Sequence, residues 1–174
     1  MIIADANIII YLVRETSFTA LAREVFARDS EWVVPELWEA EVLNGLMREV
    51  RFGSLDLGSA IRAAQYAATV LADRVQKCER SSVLRIADDT GLTAYDAYYV
   101  ALARTRGVKL VTEDGKIIRV CPDVALSMKA FLALEGPPAV VCETRAAYRT
   151  RRRDSEHRKP YSRATVAKGQ TCLK

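Results

Sequence analysis

A chain of 174 residues, half of them hydrophobic and carrying a net charge of +4, is long enough to bury a core and is expected to form one folded domain. Its four cysteines are far apart and it has one histidine, His157, so neither a zinc site nor a disulfide framework is indicated and a reducing cytoplasm fits. No run approaches transmembrane length, and the apolar start MIIADANIII lacks a basic region and is broken by Asp5 and Asn7, so the chain is expected to be soluble and not exported.

In chain order, Ile2 to Ala4 predicts a short strand that stops at Asp5-Ala6-Asn7, with a helix resuming from Ile8 to Val13. A second helix is expected from Thr19 to Arg28 and a brief strand at Trp32 to Val34. Pro35 then opens a helix over about Glu36 to Arg51, whose Val42, Leu43, Leu46, Met47 and Val50 are spaced to pack on a sheet. An alanine-rich helix follows from Leu57 to about Leu71, and a polar strand at Arg74 to Glu79. Ser81-Ser82 would cap a helix that ends near Gly91.

The richest stretch is Thr93 to Asp114, TAYDAYYVALARTRGVKLVTED. Thr93 gives a helix start, Tyr95 to Arg106 the helix, Gly107 the stop, Val108 to Thr112 a buried strand, and Glu113-Asp114-Gly115 a turn. Ile117 to Cys121 reads as a final strand and Val124 to Leu134, after Pro122 and Asp123, as the last helix. Strands separated by helices make βαβ units, hence an α/β class with a parallel sheet covered on both faces.

Gly136-Pro137-Pro138 marks the clearest boundary. Residues 1–135 carry 16 basic against 19 acidic residues, and residues 136–174 carry 10 against 3, so the basic character belongs to the tail. The tail has few large apolar residues and is expected to be a flexible extension of the 1–135 domain.

Four acids recur at comparable places: Asp5 after the first strand, Glu41 in the helix after the second, Asp96 at a helix start and Asp114 after a later strand. Each has a structural explanation when taken singly. Asp5 or Asn7 would cap a helix, Thr93 and Asp96 have capping-box spacing, Asp114-Gly115 is a turn dipeptide, and Glu36, Glu39 and Glu41 lie early in a helix, where the dipole favours negative charge. On a helical wheel Glu39 falls near the middle of the predicted apolar face and Glu41 points away, so the wheel does not choose Glu41.

With its one histidine in the tail, the folded domain cannot build a Ser-His or Cys-His nucleophile, which leaves metal activation as the hydrolytic route. Clustered carboxylates suit Mg²⁺ or Mn²⁺, and like charges in one cleft call for a cation.

Four blocks in order, IIADANIIIYL, PELWEAEVLNGL, GLTAYDAYYVALA and LVTED, resemble a PIN-domain ribonuclease, most closely the VapC-type toxins of bacterial toxin–antitoxin modules, over roughly residues 1–135. The resemblance picks out Glu41 with Gly45. It implies a three-layer α/β/α domain with a four- to five-stranded parallel sheet, in which the first and fourth strands are neighbours. It also implies catalytic acids Asp5, Glu41, Asp96 and Asp114, metal ligands Asp5, Asp96 and Asp114, and supporting groups Asn7 and Thr112. Family members cleave RNA, commonly transfer or ribosomal RNA, with Mg²⁺ or Mn²⁺, are often homodimers and are held inactive by a cognate antitoxin. Trp38 and Met47 are candidates for such contacts, with ordinary core as the alternative. The competing function is a catalytically silent RNA-binding or assembly module. The tail departs from the family pattern, and its Arg149, Arg151, Arg152 and Arg153 could contact RNA phosphates, with Tyr148 and Tyr161 available to stack on bases.

Overall fold

In the computed structural model, which describes residues 1–134, the first strand β1 (Ile2–Ala4) is buried on both faces and forms the centre of the sheet. The elements that follow are α1 (Ala6–Val13), α2 (Thr19–Arg28), β2 (Trp32–Pro35), α3 (Trp38–Arg51), α4 (Leu57–Leu71), β3 (Val75–Gln76), α5 (Arg80–Thr90), α6 (Ala94–Arg106), β4 (Leu110–Val111), α7 (Gly115–Val120), β5 (Ala125–Leu126) and α8 (Met128–Ala133). The five strands are parallel in the order β3-β2-β1-β4-β5. Because successive side chains point to opposite faces of a strand, Ile2 and Ala4 join a core with α1, α2, α3, α4 and α8, whereas Ile3 joins α5, α6 and α7 on the other side. The result is a three-layer α/β/α sandwich. Ile2 and Ile3 are almost wholly buried, each worth about 1.5–3 kcal/mol of apolar transfer.

The chain order reverses direction across the sheet at β1: the crossover through α1 and α2 leads to β2 on one side, while β4 arrives on the other. Ligands of open α/β sheets bind outside the strand ends at such a switch point. Ile3 registers with Leu110 and Ala4 with Val111, and Asp5 N–H donates to the Val111 carbonyl at 3.1 Å, so the ends of β1 and β4 lie side by side.

Two late elements differ from the sequence expectation. Ile117 to Cys121 is not a strand, because α7 occupies Gly115–Val120. The Asp114 carboxylate caps it by accepting from the Lys116 and Ile117 N–H groups at 2.7 and 3.0 Å, and Ile117 and Cys121, four apart, are its buried contacts. The last strand is instead β5, inside the span expected to be helical. Its backbone bonds to β4 run Leu110 N–H to the Val124 carbonyl and Thr112 N–H to the Leu126 carbonyl, and the final helix shortens to α8, capped by Ser127. The polar strand expected over Arg74 to Glu79 forms only as the two-residue β3.

Among the described residues no helix is long and apolar enough to cross a membrane. The tail arginines and tyrosines singled out in the sequence lie outside the described residues.

Candidate active site

Asp5 is both the N-cap of α1 and a buried carboxylate, only 8% exposed. Its Oδ1 accepts from Ala6 N–H at 2.7 Å. Its Oδ2 accepts from the Thr112 hydroxyl at 2.5 Å and from the Asn7 side-chain amide at 2.7 Å. Thr112, fully buried at the end of β4, also takes a bond from Asp114 N–H at 2.9 Å and a longer one from Asn7 Nδ2 at 3.3 Å. Asn7 Oδ1 in turn accepts from Glu113 N–H at 3.4 Å. Side-chain bonds between two parallel strand ends thus hold one carboxylate in one orientation.

Two further acids act on Asp5. Burial pushes its carboxyl up to about 7, against the bonds from Thr112 and Ala6, and the charges of Glu41 and Asp96 raise it further. Glu41 lies on α3, and its Oε2 accepts from the Tyr99 hydroxyl at 2.6 Å. Burial raises its carboxyl also, the Tyr99 bond opposing and the Asp96 charge adding. Tyr99 is 1% exposed and sits three residues after Asp96 on α6, so one face of that helix presents a carboxylate and a hydroxyl to the same cleft. Burial and the Glu41 charge hold the Tyr99 phenol far above its usual range, and it remains a donor.

The two glutamates that the wheel left open differ in their surroundings. Glu39 is exposed and Glu41 half-buried, because the buried stripe of α3 is Trp38, Val42 and Leu46, rotated away from Leu43, which is 44% exposed. Gly45 faces α1: a Cβ there would meet the terminal methyl of Ile10, Cδ1. Gly45 therefore lets α3 approach α1 closely, one turn after Glu41.

Asp96 serves the expected capping box. Its N–H donates to Thr93 Oγ1 at 3.2 Å, and its Oδ2 accepts from the Thr93 hydroxyl at 2.7 Å and from Thr93 N–H at 3.3 Å. Asp114 reaches the same sheet edge, but its carboxylate is directed onto the first turn of α7. The electrostatic neighbourhood thus joins Asp5, Glu41 and Asp96. Among the described residues no three Asp, Glu, His or Cys side chains converge into a ready-made metal cage. The donor set fits a hard divalent cation nonetheless: the groups are carboxylate oxygens, and burial and mutual repulsion lift Asp5 and Glu41, a condition that a bound cation relieves.

In the sequence Tyr99 is one position of the helix expected over Tyr95 to Arg106. Its spacing from Asp96 was the available signal, and nothing in the sequence linked it to Glu41, 58 residues away.

A family model described as PIN domain matches residues 2–121. The protein named Exonuclease VapC9 from Pyrobaculum aerophilum is 32% identical over 118 residues, which cover 62% of this chain and 83% of that one. Among solved structures, PAE2754 from Pyrobaculum aerophilum aligns with a TM-score of 0.61 at 25% identity, over 75% of this chain and 85% of that one. FitAcB from Neisseria gonorrhoeae aligns with a TM-score of 0.56 at 16% identity over 74% of this chain and 99% of that one, a likeness of fold. A switch-point crevice carrying Asp5, Glu41 and Asp96, with the family match over most of the chain, places this protein in the PIN-domain family, among its VapC-type members.

Proposed function

We propose that the protein is a divalent-metal-dependent endoribonuclease and the toxin of a toxin–antitoxin pair acting in the cytoplasm, with residues 1–135 as its nuclease domain. Family membership makes it a nuclease. The metal, the RNA substrate and internal cleavage are the proposal. The observation that carries it is Asp5, a buried carboxylate oriented by three donors and flanked by two further acids.

In this reading Asp5 and Asp96 would hold Mg²⁺ or Mn²⁺, with Glu41 beside them and Asp114 available if its side chain leaves the α7 cap. Such an ion supplies Lewis acidity toward the scissile phosphate and acidifies a water. Asn7 and Thr112 keep the Asp5 carboxylate in place, and Thr93 keeps Asp96 at the cleft. Glu41 has Oε2 occupied by Tyr99, so Oε1 takes the proton of the attacking water, and its raised pKa makes it a better base near neutrality. The water oxygen bonds to phosphorus, the bond to the leaving ribose oxygen breaks, and solvent protonates that oxygen.

An apolar groove between α3 and α4, lined by Leu43, Leu46, Met47, Leu57, Ala60 and Ile61, would receive the apolar face of an antitoxin helix. Met47 lines this groove, whereas Trp38 is core. Ile61→Asp should abolish co-purification with the antitoxin and leave cleavage intact; retained co-purification would remove the groove from the interface.

One observation favours the silent-module reading: Asp96 and Asp114 both serve as helix caps in this structure. The decisive experiment incubates linear and circularised RNA with the full chain and Mn²⁺ or Mg²⁺, beside EDTA and beside Asp96→Asn. An endoribonuclease opens the circle, and chelator and substitution both prevent it. Shortening of linear RNA with intact circles would make the protein an exonuclease, as the name of the Pyrobaculum relative has it. RNA binding with no cleavage of either form would establish the silent module.

A further inference from the structure

Beyond the acids, Tyr11 of α1 and Phe18, at the start of α2, form an aromatic pair. Asn7, whose side chain is already part of the site, and Tyr11 are four residues apart and share a face of α1, about 6 Å apart along its axis at the α-helical rise. The half-buried Tyr11 ring stacks on Phe18, with centroids 4.8 Å apart and planes inclined by 25°. Phe18 is 40% exposed, a large apolar ring held in solvent at the turn between α1 and α2.

That turn is pinned. Thr19 Oγ1 donates to the Arg14 carbonyl at 2.7 Å and accepts from Thr16 N–H at 2.7 Å, and Thr16 Oγ1 accepts from Phe18 N–H at 3.0 Å. Buried Thr19 anchors the arrangement, so the backbone holds Phe18 outward on Tyr11. Burial and the charges of Glu113 and Asp5 raise the Tyr11 phenol, with Arg48 opposing, so this end of the stack lies in the field of the acids and of one guanidinium.

We propose that Tyr11 and Phe18 form a stacking subsite for a base of single-stranded RNA, one that seats a nucleotide neighbouring the scissile phosphate. The inference rests on the RNA-cleaving reading above. Stacking tolerates any base because every base has a π-face, and it requires a base freed from a duplex. The subsite therefore selects unpaired regions without imposing a sequence. Preorganisation by the Thr16–Thr19 bonds means that little ordering cost is left when the base arrives.

The test uses the full chain carrying Asp96→Asn, so that substrate survives, and measures binding of a fluorescent single-stranded RNA oligomer by anisotropy. Phe18→Ala should weaken binding about fivefold to a hundredfold. Phe18→Leu, which keeps an apolar contact with Tyr11 and so guards against misfolding, should weaken it nearly as much. An abasic scan of the oligomer should find one position where losing the base weakens binding to the Phe18 protein, and that penalty should disappear in Phe18→Ala. Unchanged affinity in both variants, or an equal loss on fully paired duplex, would overturn the subsite. If the protein with native Asp96 opens RNA circles while the Phe18 variants bind normally, only the stacking proposal falls. If no RNA is bound or cut, the endoribonuclease reading falls with it.

Discussion

Replacing Asp5 with asparagine should stabilise the metal-free protein at alkaline pH. Burial lifts the Asp5 carboxyl from its ordinary 3.8 to about 7, so the folded state prefers the protonated form. Between those values the native chain binds more protons than the unfolded one, and stability falls as pH rises from about 4 to about 7, then levels off. Each unit corresponds to about 1.36 kcal/mol, which puts the full cost near 4 kcal/mol above pH 7 and about 1–2 kcal/mol at pH 5. The substitution removes that cost but places an amide where the Asn7 side chain donates, losing about 1–2 kcal/mol of hydrogen bonding. The net expectation is a gain of about 2–3 kcal/mol at pH 8 and almost none at pH 5. Urea unfolding of both proteins in EDTA at the two pH values measures it. Adding Mn²⁺ at pH 8 should stabilise the protein with Asp5 and not the variant. Equal effects of the substitution at both pH values, or a loss at pH 8, would refute the account of Asp5 as a buried charge awaiting a cation.

Tyr99→Phe removes the donor that holds the Glu41 carboxyl down, so Glu41 should titrate higher still and the acid limb of the rate profile should move to higher pH. An unmoved limb in kcat/KM against pH would exclude Glu41 as the titrating base. Gly45→Ala should cost no more than about 1 kcal/mol, because the atom its Cβ meets is the terminal methyl of Ile10, which can turn aside, and because alanine favours a helix interior over glycine by about 0.5–1 kcal/mol. Ile10→Val, which deletes the clashing methyl, should recover most of that loss in the double variant, as read by thermal unfolding; additive losses would mean that the two helices do not meet there.

How far the sequence revealed the molecule depends on what kind of signal each element carries. The longer helices are legible: α2 and α4 have the predicted ends, and α6 shows its Thr93 box and its Gly107 stop, with φ at 64°. The errors cluster after β4, where strands shrink to two residues and no alternation can accumulate. There a β-branched run, Ile117-Ile118-Arg119-Val120, imitates a strand although Asp114 has already capped a helix. The same ambiguity touches the site. Asp5, Glu41 and Asp96 are visible as residues, but the rotation of α3 and the pairing of Glu41 with Tyr99 depend on tertiary packing.

The place of β1 between β2 and β4 has a consequence for synthesis on the ribosome. The bond from Thr112 to Asp5 spans 107 residues, and the bond from Tyr99 to Glu41 spans 58. Contacts of such separation form late, because their loop-closure cost falls due before any reward. A nascent chain that has not yet delivered Leu110 and Val111 leaves one edge of β1 unpaired and has no Thr112 to orient Asp5. Topology thus acts as a timer: the hydrogen bonds that orient Asp5 cannot all form until the chain through Thr112 has emerged.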